Sequence, residues 1–363
     1  MARPDAIFVM RSPGETRYAL LAGEDLIEVV HRRDAAIQPG AVYVGRILAG
    51  VPGVPAAFVE IGDALPGVMS FKGRLPPQGS ALAVTVIVPP RPGKGAELKA
   101  ADGKAEGAPR LLTPAPEPVS VWWDCYRDGI QEILVSPRRE VARLKALLPD
   151  APVVDGARAF FAGVDEAIEA ALAPTVALPS GGSIVIEHTA AVVAIDINSG
   201  AGDPGEANGE AVTAIAAELR KRNISGHILI DLIPSRRRSA FVRAMADALS
   251  PDPVQSNIAG ITPLGMIELT RRRTGLSLAE TLCDLDGHLS ALSVGYRLLR
   301  EAVAFAHADK CAGVAATAAP EVVAALQGPL QAALAEAKDE IKGEVRLAAR
   351  AEFTRTRTQL TTA

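Results

Sequence analysis

Ala191-Val192-Val193-Ala194-Ile195-Asp196-Ile197-Asn198 and, further along the chain, Ile228-Leu229-Ile230-Asp231 are two short apolar runs that each carry a carboxylate. Runs of this kind read as buried strands. An unpaired carboxylate is costly to bury, so an acid inside such a run needs a partner. Between them Val212, Ile215, Ala216 and Leu219 fall at i, i+3, i+4 and i+7, the apolar stripe of a helix. If the two strands are neighbours, Asp196, Asn198 and Asp231 face one small volume. Asp196 and Asn198 share a strand face because side-chain direction repeats every two residues. Two carboxylates and an amide oxygen make a hard, oxygen-only donor set that suits magnesium, with manganese as a substitute. Acids in strands also serve as arginine partners or helix caps, and spacing alone leaves those roles open.

The neighbouring blocks add to this. Leu178-Pro179-Ser180-Gly181-Gly182-Ser183-Ile184-Val185-Ile186-Glu187-His188-Thr189, then Ala194 to Gly200, then Gly226-His227-Ile228-Leu229-Ile230-Asp231, resemble the catalytic core of the ribonuclease E/G family. Gly265-Met266-Ile267-Glu268-Leu269-Thr270-Arg271-Arg272-Arg273, followed by Ser277-Leu278, resembles that family's arginine-bearing segment. Tyr43 to Ile47 through Ala56 to Gly62 resembles its RNA-binding OB-fold. The blocks come in family order and cover most of residues 1–100 and 120–363.

The resemblance implies an α+β, multi-domain chain. An OB-fold barrel (38–98) is inserted into a discontinuous ribonuclease-H-like subdomain (1–37 plus 119–175). A metal-bearing α/β, DNase I-like subdomain (176–275) and a small α+β C-terminal domain (276–363) follow. It also implies that Asp196 and Asp231 carry a catalytic magnesium, with Asn198 beside them orienting water or a ligand. The implied reaction is hydrolysis of single-stranded RNA to 5′-phosphate and 3′-hydroxyl ends, in RNA processing or decay. The rival reading is a non-catalytic RNA-binding protein on the same scaffold. The retained trio Asp196, Asn198 and Asp231 argues against that rival.

Composition constrains less. A formal charge of −4 does not mark a nucleic-acid binder. Local charge is more informative: Arg220-Lys221-Arg222, Arg236-Arg237-Arg238 and Arg271-Arg272-Arg273 all fall within or beside the acidic blocks. A lone triplet reads as a solvated surface, but three near one acidic cluster suit phosphate, which needs cations for positioning. Arg236, Arg271 and Arg273 are the RNA-binding candidates among them. Phe58 serves as a base-stacking platform or as a core aromatic, and Lys94, in Pro92-Gly93-Lys94-Gly95, is a candidate phosphate contact. His188 and His227 lie beside the metal strands and read as structural.

Cys125, Cys283 and Cys311 are odd in number and widely separated, which argues against a disulfide framework. The first twenty residues lack an apolar core of signal length. No run approaches the ~20 apolar residues of a membrane helix. The expectation is a cytoplasmic chain without membrane contact.

Elsewhere, Ala6–Met10, Thr16–Ala22 and Leu26–Val30 read as a meander. Ala41–Ile47, Ala56–Ile61, Gly67–Ser70 and Ala81–Val88 suit a small barrel. Residues 99–118, rich in Ala, Gly, Pro, Lys and Glu, read as a linker. Ala157–Leu172, Arg237–Leu249, Leu289–His307 and Glu321–Ile341 read as helices, and Glu344–Leu360 as paired strands.

The chain departs from the family in three ways. Where family members carry Cys-Pro-x-Cys, it has Cys283-Asp284-Leu285-Asp286, so no structural zinc is expected, because such sites want four Cys or His ligands. A monomer or weak homodimer follows. Only the short 99–118 interval stands where longer members hold a 5′-end sensor, so that pocket is expected to be missing. Thr189-Ala190-Ala191 replaces the usual Thr-Glu-Ala, and the segment after Asn198 is short and holds Gly200, Gly202, Gly205 and Gly209.

Overall fold

The computed structural model describes residues 3–156, 162–234 and 238–363. It is a mixed α+β chain. Strands β1 (Ala6–Ser12), β2 (Glu15–Ala22) and β3 (Asp25–Arg33) form the expected meander. The chain then leaves this sheet to build a barrel from β4 (Val42–Gly50), β5 (Ala56–Glu60), β6 (Gly67–Ser70), β7 (Ala81–Val88) and β8 (Glu97–Ala100). The pairing runs β4-β5-β6-β8-β7 and back to β4, with β6 and β8 parallel, which closes a five-stranded OB-like barrel. Ile47, Val59, Met69, Val84, Val86 and Leu98 fill it.

The interval expected to be a linker contains a strand. β9 (Arg110–Thr113) pairs with β4 through Val42↔Thr113 and Val44↔Arg110. The first half of β4 is otherwise bonded only to β7, and an open edge recruits whatever short segment can reach it. Four residues are too few to show a period in sequence.

After α1 (Pro118–Tyr126), strand β10 (Glu132–Ser136) returns to the first sheet and pairs parallel with β1, Ala6 opposite Glu132. Helix α2 (Arg139–Leu147), β11 (Val153–Asp155) and α3 (Ala162–Leu172) follow. The sheet order β11-β10-β1-β2-β3 therefore joins two parts of the chain separated by the barrel. Part of the expected helix, 157–161, lies outside the described residues.

The third unit is built from β12 (Thr175–Ala177), β13 (Ser183–His188), β14 (Val193–Asn198), α4 (Pro204–Lys221), β15 (Gly226–Asp231), α5 (Arg238–Leu249), β16 (Ser256–Ile261) and β17 (Ile267–Arg271). Its sheet order is β12-β13-β14-β15-β17-β16, with β14 and β15 parallel across α4. Val212, Ile215, Ala216 and Leu219 are all buried, packed with Ile195, Ile197, Ile228, Ile230, Ile267 and Leu269 from one face of the sheet. Met245 and Leu249 of α5 join the same core. Both helices therefore cover one face, and the side chains of opposite parity point the other way.

Helix α6 (Leu278–Leu282) packs Leu278 and Leu282 into the core of the first sheet. The last unit holds α7 (Ala291–Asp309), β18 (Gly313–Ala318), α8 (Pro320–Gln327), α9 (Gln331–Ile341), β19 (Glu344–Ala349) and β20 (Thr358–Thr362). The helix expected over Glu321–Ile341 is two helices, broken at Gly328-Pro329, because proline removes a backbone donor and clashes with the preceding turn. The terminal strands do not pair with each other. Each pairs with β18, which lies between them. Among the described residues no helix is long and apolar enough to cross a membrane.

Candidate active site

Asp196 ends the apolar part of β14 and Asp231 ends β15, and they are direct register partners across the parallel pair. Asn198 lies two residues past Asp196 on the same face, and its Nδ2 donates to Asp196 Oδ2 at 2.9 Å. All three are exposed, on the face that no helix covers among the described residues. Among the described residues, no Lys or Arg lies within ion-pair distance of either carboxylate. An arginine partner or a helix cap, the bland roles for an acid in a strand, is therefore not seen for either. Among the described residues no group of three or more His, Cys, Asp or Glu gathers around a common point. The donor set is two carboxylates and an amide, which fits magnesium, an ion that keeps several of its own waters.

The surroundings hold these residues still. Gly182 packs so closely on the strand end that a Cβ there would stand 2.4 Å from the Asn198 carbonyl oxygen. Gly200 takes a left-handed φ of +58° against Gly181, which favours glycine. The Leu178–Gly182 turn is anchored in turn by Glu210 of α4, whose carboxylate accepts from Ser180 N and Oγ at 3.0 and 2.8 Å. Asp203 caps α4 by accepting from the Gly205 and Glu206 amides.

Asn208 is a positioning residue that sequence reading missed. It is fully buried on α4, and its amide donates to the Ile233 carbonyl at 2.9 Å while accepting from the Ile233 amide at 3.1 Å. That double bond fixes the chain just after Asp231. Its signal was a polar residue on the buried side of a helix. Ala190 sits in the turn held by Thr189 Oγ1, at the opposite end of β14 from Asn198, so it lies away from the carboxylates.

The arginines sort differently from expectation. Arg271 is buried, its Nε donating to Asp252 Oδ2 at 2.8 Å and its Nη1 to Asn223 Oδ1 and the Ile224 carbonyl. It holds the β17 end to neighbouring loops and is not available to RNA, which corrects the expected contact. Its parity explains this: Ile267, Leu269 and Arg271 all point into the core. Arg220 and Arg222 are likewise buried, on Glu28 and Glu218. Arg236 lies outside the described residues. Arg272 is exposed, and Arg273 pairs with Glu280 at 3.0 Å.

Glu280 also meets Arg91 of the barrel at 3.4 Å. Burial alone would raise Glu280, but the Ser277 amide and Arg273 hold its carboxyl below the usual range. This junction brings the barrel's Arg91-Pro92-Gly93-Lys94 turn beside the arginine segment. Lys94 is exposed at that turn.

Phe58 is half-exposed and lies outside the barrel core. It pairs in register with Ala49 and Val68, two small neighbours that leave its ring accessible. Cys283 is half-buried against the core of the first sheet, while Asp286 accepts from the His288 amide and Asp284 pairs with Arg355.

Residues 97–274 match the model of the ribonuclease E/G family. Ribonuclease G of Haemophilus influenzae is 39% identical over 163 residues, which is 40% of this chain and 33% of that protein. Ribonuclease G of Salmonella typhimurium is 35% identical over 202 residues, 51% of this chain and 41% of the relative. Ribonuclease E of a Nostoc species is 33% identical over 208 residues, 50% of this chain and 30% of the relative. The chain thus spans a third to two-fifths of the length of the first curated relatives that it matches.

Proposed function

This chain belongs to the ribonuclease E/G family, matched over residues 97–274, and on that premise we propose that it is a magnesium-dependent endoribonuclease of single-stranded RNA. The observation that carries the reading is the register pairing of Asp196 with Asp231 on an uncovered sheet face, with Asn198 bonded to the first. Strand ends on a packed core are rigid supports, which is what a reaction centre needs.

Asp196 and Asp231 would hold the ion. When bound there, magnesium would neutralise phosphate charge and make water acidic enough to attack phosphorus near neutral pH. Asn198 fixes the Asp196 carboxylate through its Nδ2, which leaves its Oδ1 free to accept from a water. Attack by water with cleavage of the P–O3′ bond, the 3′-oxygen leaving and taking up a proton, gives a 5′-phosphate and a 3′-hydroxyl, whereas attack by the 2′-hydroxyl with loss of the 5′-oxygen would leave a cyclic phosphate. Arg272, exposed at the end of the same sheet, supplies a cation for the backbone, and Arg273 does so through the junction with Glu280.

The OB-like barrel would hold the strand through base stacking on Phe58 and a phosphate contact at Lys94. Single-stranded RNA suits such a surface because its bases are free to stack. Three free cysteines fit a reducing cytoplasm, and a monomer or weak homodimer is the assembly we propose. Labelled single-stranded RNA incubated with the protein, with and without magnesium, tests the reading through its product ends.

A further inference from the structure

The uncovered face of the catalytic sheet carries a second polar group that hydrolysis at Asp196 and Asp231 leaves unused. His227 precedes Asp231 by four residues on β15, and so shares its face. It is paired in register with Thr270 of β17, and Thr270 with Asn257 of β16, so three polar side chains form one row across three strands. Gln255 and Arg272 continue the same face at the strand ends, where the Arg272 amide donates to the Gln255 carbonyl at 2.9 Å. These five residues line a recess of ≈ 300 Å³. His227, Gln255, Asn257 and Arg272 are exposed. Among the described residues the side chains of these four make no hydrogen bond or ion pair, while the Thr270 hydroxyl donates to the Asn257 carbonyl at 3.4 Å.

We propose that this recess binds one nucleotide of the same RNA strand whose scissile phosphate lies at Asp196 and Asp231. This rests on the ribonuclease reading and adds a subsite to it. Four points of chemistry support it. The amides of Asn257 and Gln255 each present a donor and an acceptor side by side, the match for a base edge and best for adenine. The His227 imidazole offers a flat ring on which an unpaired base stacks. Arg272 presents a planar fork suited to phosphate. The volume lies at the lower end of the ~300–1,000 Å³ of small-molecule sites, which suits one base.

Position supports it as well. His227 stands ~13 Å from Asp231 at the rise of a strand, a span of a few nucleotides. The recess lies toward the end of the sheet at which β17 runs on to Arg273, and so to Glu280 and Arg91 of the barrel. A strand running from the barrel turn to the carboxylates has this recess on its way.

A binding measurement in an Asp196→Asn background, in which RNA stays intact, tests the proposal. The probes are an adenine-rich twelve-nucleotide RNA, a dinucleotide too short to span both places, and AMP. Adding His227→Ala with Asn257→Ala should weaken the twelve-mer about tenfold and leave the dinucleotide within about twofold. Both side chains are exposed, so the melting temperature should hold. Should the double variant melt early, Asn257→Ala alone, which removes donor and acceptor without adding charge at an exposed position, is expected to weaken the twelve-mer at least about threefold. In the parent enzyme, a preference for adenine at one fixed distance from the cut should vanish with the same changes. Equal affinity for the twelve-mer in both proteins would overturn the subsite and leave the ribonuclease reading intact. Failure of the background protein to bind any RNA would sink both. Loss of AMP binding with no effect on the twelve-mer would make the recess a free-nucleotide site and overturn the proposal.

Discussion

Replacing Arg271 by methionine should unfold the catalytic sheet more readily and should not act first on RNA. Arg271 and Asp252 have side chains only 1% and 0% exposed, with Nε and Oδ2 at 2.8 Å. The same guanidinium also satisfies Asn223 Oδ1 at 3.2 Å and the Ile224 carbonyl at 2.9 Å. Methionine fills much of the space but leaves a buried carboxylate with, among the described residues, only the Val254 amide as a hydrogen-bond partner, at 2.9 Å. Breaking a buried pair from one side costs about 3–5 kcal/mol, most of it the penalty of the stranded charge. That corresponds to a fall in melting temperature on the order of 10 °C. Urea unfolding read by circular dichroism measures it. Adding Asp252→Leu should recover at least half of the loss, because no charge then remains buried. A loss below about 1 kcal/mol, or weakened RNA binding at an unchanged unfolding midpoint, would refute the structural role and return Arg271 to the RNA path.

The other expectations concern charge, stacking and the RNA end. Burial alone would raise Glu15, yet His31, Arg33 and Arg300 hold its carboxyl well below the usual range. A depressed folded-state pKa stabilises fully above the unfolded value of 4.5 and progressively less as pH falls below it. The stability gap between wild type and Glu15→Gln should therefore shrink as pH falls below about 4.5, where His31 is already past its own ordinary range, and a gap that widened below that pH would refute it. Phe58→Ala should weaken single-stranded RNA binding by ~1–3 kcal/mol, measured by fluorescence anisotropy, with the barrel's stability unchanged because the ring lies outside its core. Cleavage of matched RNAs with 5′-monophosphate, 5′-hydroxyl or 5′-triphosphate ends should differ by less than about threefold, under ~0.7 kcal/mol. A tenfold preference for the monophosphate would reveal a sensor.

Much of the fold was legible because its patterns are regular. The α4 stripe and the parity of the two acid-bearing runs rest on periods that survive without knowledge of the partners. The break at Gly328-Pro329 was equally visible in the chain, and the apolar residues on both sides disguised it as one helix. β9 was not legible, because its four residues form a strand only by filling the edge of β4. Charge misled most. Arg220, Arg222 and Arg271 read as a basic surface, and each is buried on an acid: Glu28 and Asp252, which no local pattern announces, and Glu218, which stands four residues before Arg222 at helical pair spacing. Parity carried the missing information in two cases. Arg271 shares the inward phase of Ile267 and Leu269, and His227 shares the outward phase of Asp231.

The most direct measurement is cleavage of an end-labelled single-stranded RNA by wild type, Asp196→Asn and Asp231→Asn across a magnesium titration, with RNA affinity measured on the same proteins. Wild type should cut only with magnesium and leave 5′-phosphate and 3′-hydroxyl ends. Each variant should lose at least a thousandfold in rate, ~4 kcal/mol in transition-state stabilisation, while binding RNA within about twofold of wild type. Undiminished cleavage in either variant, or loss of RNA binding in step with activity, would contradict a metal-holding pair at the ends of β14 and β15.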